Sequence, residues 1–289
     1  MNKIAITTDS NSGILQENVE GLHIYVLPMP VLVNGELRFE NIDLSQEEFY
    51  GLLTENASVS TSQPSTGDLA AFWEDLLKEY DELVHIPMSS GLSQSCASAS
   101  ILAKDYDGRV HVVDNRRISV TLKESIFDAM KLREQGKTAA EIKTYLEETS
   151  ADSSIYIAVD TMKYLKKGGR VTPAAAAIGT ILKLKPVLQI HGGHLDKYAL
   201  TRGLLKAKEA MKTAVANDVA TKFKKFVDNG ELVFSVAHTN GEQEAELFAY
   251  ELKTLYPNIP FRFCDPLSLS VSCHIGPGSI AVALSRIVK

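Results

Sequence analysis

The amino-acid sequence predicts an α/β fold of two domains. The chain has 289 residues, about the length of two ordinary domains. Short β-rich runs alternate with segments of helical periodicity, which is typical of a mostly parallel sheet covered by helices. A polar stretch at Glu147–Ser154 separates a helix from the strand that follows it. We therefore predict an N-terminal α/β domain at residues 1–150, with a mostly parallel sheet flanked by helices, and a C-terminal α/β domain at residues 151–289.

The predicted strands are short apolar runs bounded by turn-forming or charged residues. They are Ile4–Thr7, Ile24–Val33, Leu83–Ile86, Val110–Val113, Ile155–Val159, Val187–Ile190, Leu232–Ala237 and Phe261–Cys264.

Helix boundaries have clear local signals. Ser45 and Thr138 each precede a glutamate by three residues, which is a capping-box pattern. Gly136 is predicted to end the helix that begins near Val120. One apolar stripe at helical spacing predicts a helix that packs on the core. Its residues are Leu69, Phe72, Trp73, Leu76, Leu77 and Tyr80.

Composition excludes several classes of function. Apolar residues make up 45% of the chain, enough for a large core, and the net charge of −6 argues against nucleic-acid binding. The three cysteines are widely spaced, and no Cys or His pair has metal-ligand spacing, so we expect no metal and no cofactor. A strand pattern directly after Met1, and the lack of an apolar run of about 20 residues, predict a cytoplasmic protein with no transmembrane segment.

Four polar segments follow predicted strands, where α/β sheets bind ligands. Ser60–Ser65 is either part of a binding site or a helix start capped by Ser65 or Thr66. Met88–Ser95 precedes a predicted helix at Ser98–Asp105, and it is either an anion site or an ordinary helix start. Tyr164–Val171 could hold a phosphate or form a surface turn. His274–Gly278 places a histidine beside a tight Gly-Pro-Gly bend, although a lone histidine is usually structural.

Seven short motifs, in order along the whole chain, resemble those of the DegV family of fatty-acid-binding proteins. The motifs are Thr7-Thr8-Asp9-Ser10, Thr61-Ser62-Gln63-Pro64, Ser89-Ser90-Gly91-Leu92-Ser93, Val113-Asp114-Asn115, Leu165-Lys166-Lys167-Gly168-Gly169-Arg170, His238-Thr239-Asn240 and His274-Ile275-Gly276-Pro277-Gly278. The chain departs from the family pattern at Gln94 and Ser95, where glycine and threonine are usual. It also carries Lys123 and Glu124 in a region where the family often has glycines.

The resemblance implies two α/β domains with a long-chain fatty acid between them. It implies that Thr61, Ser93 and His274 hold the carboxylate, with secondary candidates at Ser62, Ser90, Gly91 and Gly276. The protein would be a lipid carrier rather than an enzyme. A partner ATP-dependent fatty acid kinase would phosphorylate the bound acid for phospholipid synthesis, docking at Arg170 and Arg202. Candidate tunnel-lining segments are Leu27–Val33 and a predicted small-residue helix at Ala174–Ile181, although ordinary core packing explains them nearly as well.

The same residues also fit two other functions. A serine hydrolase could use Ser93 with His274 and an acid drawn from Asp9, Asp114 and Asp265, although the G-x-S-x-G spacing is absent. A nucleotide or phosphosugar binder could use Lys166–Arg170, but no Mg²⁺-binding or base-recognising pattern accompanies it.

Overall fold

The computed structural model describes residues 2–55, 57–178, 184–191 and 193–289. The chain forms two compact units. Unit 1 extends to Ala151 and also includes Val288, and unit 2 extends from Asp152 to Ile287 and includes Lys289. Each unit has its own sheet and its own helices.

Unit 1 contains a parallel sheet of four strands in the order β2-β1-β6-β7. The strands are β1 (Ile4–Asp9), β2 (Ile24–Leu27), β6 (Glu82–Ile86) and β7 (Val110–Val112). Every residue of β1 is buried, as expected for a central strand covered on both faces. The parallel sheet predicted for this part of the chain is confirmed.

A second, antiparallel sheet in unit 1 has the order β4-β3-β5. Its strands are β3 (Pro30–Val33), β4 (Glu36–Phe39) and β5 (Val59–Thr61). The prediction of one strand at Ile24–Val33 is therefore wrong, because its two halves belong to different sheets. Pro28 and Pro30 explain the break, since proline has no N–H for a strand ladder and is tolerated at the first position of a strand.

The helices of unit 1 begin and end largely where the local signals lie. They are α1 (Gln46–Thr54), α2 (Thr66–Leu76), α3 (Ser95–Leu102), α4 (Ser119–Glu134) and α5 (Ala139–Glu148). The hydroxyls of Ser45, Ser65 and Thr138 accept N–H bonds as N-caps. Gly136 follows α4 with a left-handed φ of 82°, as predicted. The apolar stripe of α2 packs on the sheet around the fully buried Trp73.

Unit 2 contains a six-stranded sheet in the order β10-β9-β8-β13-β11-β12. The strands are β8 (Ser153–Ala158), β9 (Leu184–His191), β10 (His194–Arg202), β11 (Leu232–Thr239), β12 (Phe261–Pro266) and β13 (Ser279–Arg286). Among these described strands β11 and β12 pair in parallel, and the other neighbours are antiparallel. Unit 2 therefore has a mixed sheet that is mostly antiparallel. The prediction missed β13, which is buried almost throughout and shows no alternation, and β10, a largely exposed edge strand.

The helices of unit 2 are α6 (Lys163–Gly168), α7 (Pro173–Ala176), α8 (Leu204–Ala220), α9 (Lys224–Asp228), α10 (Glu242–Leu255) and α11 (Leu269–Ile275). Apolar residues of α8 and α10 pack on the sheet to form the core of this unit, around Phe223 and Phe248. The small-residue helix predicted at Ala174–Ile181 is observed at Pro173–Ala176, and residues 179–181 lie outside the described residues.

The described ranges lack two kinds of feature. No helix there is long and apolar enough to cross a membrane. No cluster of three or more His, Cys, Asp or Glu side chains in those ranges could hold a metal ion.

Candidate functional site

The carboxyl edge of the parallel sheet in unit 1 collects most of the polar motifs. The chain leaves β1 for β2 on one side and later returns to β6 on the other side, so the strand order reverses beside β1. In open α/β sheets, ligands bind outside the carboxyl ends of the strands at such a switch point. The loops that follow β1, β6 and β7 therefore form the candidate site of unit 1.

Asp9 connects the loops that follow β1 and β6. Its Oδ2 accepts the N–H of Met88 at 2.8 Å, and its Oδ1 accepts the N–H of Asn11 at 3.0 Å. Burial raises the pKa of Asp9 to about 6, although both N–H bonds oppose that rise. The carboxylate therefore acts as a buried acceptor that joins two neighbouring loops.

Ser93 lies in the turn between β6 and α3. Its N–H donates to the carbonyl of Ser89 at 3.1 Å, which closes the turn. Its Oγ accepts the N–H of Ser95 at 3.1 Å, at the first residue of α3. The hydroxyl uses an acceptor lone pair for this bond and also has one O–H donor, which can bond a ligand oxygen. Helix α3 thus starts at Ser95 and not at the predicted Ser98, which keeps Ser93 at the start of a helix.

Thr61 is the last residue of β5, and it is half-buried. The segment that follows is connected to α3, because Nε2 of Gln63 donates to Oγ of Ser98 at 3.0 Å. That contact brings the Thr61 segment next to the helix that begins two residues after Ser93. The sequence offered no local signal for this contact between residues far apart in the chain.

A small cavity of about 20 Å³ lies beside these segments. It is lined by Asp9, Leu27, Met29, Pro64, Thr66, Leu69, His85, Pro87, Ser95 and Ser98. Burial lowers the pKa of His85 to about 3, so this histidine is neutral at physiological pH. The hydroxyl of Ser95 is buried and has no hydrogen-bond partner among the described residues.

In unit 2, His274 lies in α11 and packs directly on the end of α6. A Cβ at Gly168 would overlap Nδ1 of His274, so the ring occupies the space that a side chain would take. Gly276 has a φ of 79°, and a Cβ there would overlap the ring of Tyr164. Both the backbone conformation and the close contact favour glycine at position 276, whereas a side chain at position 168 would displace the His274 ring.

The protonation state of His274 follows from its surroundings. Burial, together with the positive charge of Arg170, lowers the pKa of His274 to about 4. The neutral ring has one N–H donor and one acceptor nitrogen. Such a ring can donate one hydrogen bond to a carboxylate without forming a fixed ion pair.

Thr239, at the end of β11, holds the loop that follows His274. Its Oγ1 donates to the carbonyl of Gly276 at 2.6 Å and accepts the N–H of Ser279 at 2.9 Å. Its carbonyl accepts the N–H of Gly278 at 2.7 Å. The sequence pattern includes Thr239 in a motif but gives no sign of this role.

The remaining candidates occupy distinct positions. Ser62 is exposed, and Gly91 donates its N–H to Oγ of Ser89 at 3.2 Å. Arg170 is half-buried, and its carbonyl accepts the N–H of Leu195 at the start of β10. Arg202 is exposed at the other end of β10, seven residues from Leu195. At roughly 3.3 Å per residue, the backbones of Leu195 and Arg202 are about 23 Å apart.

Comparisons with known proteins bear on the whole chain. The model of the DegV family, described as an uncharacterised protein family, matches residues 3–286. A DegV domain-containing protein of Deinococcus radiodurans is 31% identical over 288 residues, which cover 97% of this chain and 98% of the relative. A DegV domain-containing protein of Clostridium acetobutylicum is 31% identical over 285 residues, which cover 97% and 96%.

Solved structures agree with that match. The crystal structure of DegV from Bacillus subtilis, described as a fatty acid binding protein, has a TM-score of 0.86 and 28% identity, and the match covers 99% of this chain and 100% of the other. A DegV family protein of Thermus thermophilus, described by its fatty acid binding, has a TM-score of 0.86 and 27% identity, over 99% and 100%. The fold, the ordered motifs and the match along residues 3–286 together lead to one conclusion: this chain belongs to the DegV family.

Proposed function

We propose that this protein binds a long-chain fatty acid and presents its carboxylate to a separate ATP-dependent fatty acid kinase. The observation that carries the proposal is the likeness, along the whole chain, to two solved proteins described as fatty-acid binding. In this role the protein is a carrier that needs no cofactor, and the partner kinase forms the acyl phosphate. Because the partner kinase uses ATP, we place this role in the cytoplasm. The three free cysteines suit that reducing compartment.

The energetics favour a site that combines an apolar tunnel with a few polar donors. Burying about 15 methylenes at roughly 0.8 kcal/mol each gives on the order of 12 kcal/mol. Association and ordering of the chain cost about 4–15 kcal/mol, which offsets much of that gain. A head-group hydrogen bond contributes about 1 kcal/mol, or somewhat more to a charged acceptor. The hydrocarbon chain therefore supplies affinity, and the polar donors supply orientation.

In this proposal Thr61, Ser93 and His274 hold the carboxylate. Each can donate one hydrogen bond, and none is a fixed cation at neutral pH, since the pKa of His274 is lowered to about 4. A bidentate arginine would occupy both carboxylate oxygens and leave no free nucleophile for phosphoryl transfer. Ser62, Ser90, Gly91 and Gly276 are secondary members of the proposed head-group site.

Arg170 and Arg202 are proposed to contact the kinase. The exposure of Arg202 suits such a role. Because the backbone of Arg170 bonds the start of β10 and Arg202 ends that strand, a kinase that contacts both must span about 23 Å. Replacing Arg202 by alanine should weaken kinase-dependent phosphorylation without changing lipid affinity, and an equal loss of both would contradict docking.

The contacts of unit 1 favour a binder over the serine hydrolase. Ser93 accepts a backbone N–H, while Asp9 bonds two backbone N–H groups and Asp114 bonds Ser90. A catalytic acid would instead orient the histidine. Two of the three candidate acids are thus engaged in holding loops.

Mass spectrometry of lipid extracted from the purified protein tests the proposal. Denaturing extraction should release about one fatty acid per chain, as expected for a single tunnel. Added palmitate at 100 times its Kd should stabilise lipid-free protein by about 2.7 kcal/mol. Absence of both lipid and stabilisation would remove the binder function. Labelling of Ser93 by a fluorophosphonate, with esterase turnover that is lost in Ser93→Ala, would establish the hydrolase instead.

A further inference from the structure

The turn that carries Ser93 is held by an acidic residue on the neighbouring loop. Asp114 follows β7 and is half-buried. Its Oδ2 accepts the hydroxyl of Ser90 at 2.6 Å, and its Oδ1 accepts the N–H of Ser90 at 3.3 Å. Both carboxylate oxygens therefore bond one residue, three positions before Ser93.

A second contact joins the same two loops. The N–H of Ser89 donates to the carbonyl of Arg117 at 2.9 Å, and the carbonyl of Ser89 accepts the N–H of Ser93. The partner loop is unusual, because Arg116 and Ser119 have left-handed φ values of 55° and 54°. Each such residue costs about 1 kcal/mol or more, and it persists where neighbouring contacts determine the backbone.

Asp114 is itself held by α5. Its N–H donates to Oε1 of Glu147 at 3.1 Å, and the same oxygen accepts Nζ of Lys143 at 2.7 Å. Lys143 also donates to the carbonyl of Val112, the last residue of β7. A continuous set of contacts therefore runs from α5 through Asp114 and Ser90 to the turn that carries Ser93.

We propose that Asp114 is a positioning residue for the head-group site, acting through Ser90 to fix the hydroxyl of Ser93 against the carboxylate. This inference rests on the proposed fatty-acid binding. A residue that merely stabilised the loop would change the affinity for every ligand alike. A residue that positions Ser93 should change the preference for a carboxylate over a head group that is a weak hydrogen-bond acceptor. The reason is that a displacement of about 1 Å in a short turn is enough to lose the aligned hydrogen bond.

The test compares palmitate with 1-hexadecanol, which has the same chain length but no carboxylate. In Asp114→Ala both carboxylate oxygens are removed, so both Ser90 contacts are lost. Palmitate affinity should fall about tenfold, the size of one hydrogen bond to a charged group, while hexadecanol affinity is unchanged. Ser90→Ala, which removes the hydroxyl that donates to Asp114, should reproduce most of this loss.

The matched control is Asp75→Ala, which removes an exposed carboxylate of unit 1 that pairs with Lys78 at 3.0 Å. It should leave both affinities unchanged. A Ser90→Ala, Asp114→Ala double variant should lose no more than Asp114→Ala alone, because Asp114→Ala already removes both Ser90 contacts. If the wild type binds palmitate but the Asp114 variant has the same ratio of palmitate to hexadecanol affinity as the wild type, the positioning role alone is overturned. A wild type that binds neither ligand would instead overturn the proposed function and this inference with it.

Discussion

The two units fix their candidate donor groups in different ways. In unit 1, Ser93 lies in a turn held by hydrogen bonds that the carboxylates of Asp9 and Asp114 accept. In unit 2, the ring of His274 fills the space above Gly168, and the next loop packs Gly276 on Tyr164. Hydrogen bonds can be weakened one at a time at a cost of about 1 kcal/mol each, whereas a larger residue at a close glycine contact must displace a whole ring. Unit 1 should therefore tolerate substitution gradually, and unit 2 should not.

Gly276→Ala should give the largest effect. The left-handed φ costs about 1–2 kcal/mol, and overpacking against Tyr164 adds about 1–3 kcal/mol. The free energy of unfolding of the full chain should fall by about 2–5 kcal/mol, the sum of the two costs, measured by urea denaturation. Gly21→Ala is the control, because Gly21 has a φ of 76° but nothing within 4 Å of a Cβ. Equal losses in the two variants would show that contact with Tyr164 is unimportant.

Asp9→Asn tests the hydrogen-bonded side of the comparison through pH. The folded pKa of Asp9, about 6, lies above its ordinary value of 3.8, so the folded state retains a proton that the unfolded state has released. Stability contributed by the protonated carboxyl is therefore complete below pH 3.8 and is lost as pH rises through 6. Relative to Asp9→Asn, the wild type should lose on the order of 3 kcal/mol between pH 4 and 7. Parallel stability profiles of the two proteins would contradict the raised pKa.

The difference between the units also explains what sequence reasoning could and could not find. The caps at Ser65 and Thr138 and the stripe of α2 depend on residues three or four positions apart, so the sequence predicts them. The contact of Gly168 with His274 joins residues far apart in the chain, and no local pattern contains it. The resemblance pointed to His274 and Ser93 through their motifs, but the contacts that hold them became visible only in the fold.

A third prediction concerns the charge state of His274. In lipid-free protein its pKa should lie near 4, because burial and Arg170 both disfavour the imidazolium. A bound carboxylate favours the charged ring, so palmitate should raise this pKa, by about one unit for an interaction of about 1.4 kcal/mol. Titration of the ring by NMR measures the change, and 1-hexadecanol, which has no charge, is the control ligand. An equal response to both ligands would separate His274 from the carboxylate.

The smallest expected effect compares Ser95 in unit 1 with Ser279 in unit 2. Both hydroxyls are buried without a hydrogen-bond partner among the described residues, and both residues donate their N–H to another hydroxyl, that of Ser93 or Thr239. Alanine keeps that N–H bond and removes the unpaired hydroxyl. Each variant should therefore gain up to about 1 kcal/mol in the free energy of unfolding.

The neighbouring cavity makes this pair a sharper test of the two units. Ser95 lines a space of about 20 Å³, and a water needs about 10–15 Å³ together with at least two polar partners. If Ser279→Ala is stabilising while Ser95→Ala costs more than about 1 kcal/mol, the cavity holds a water that bonds Ser95, and the hydrogen-bond network of unit 1 extends into it. A gain in both variants would instead limit that network to the contacts of Asp9, Ser93 and Asp114.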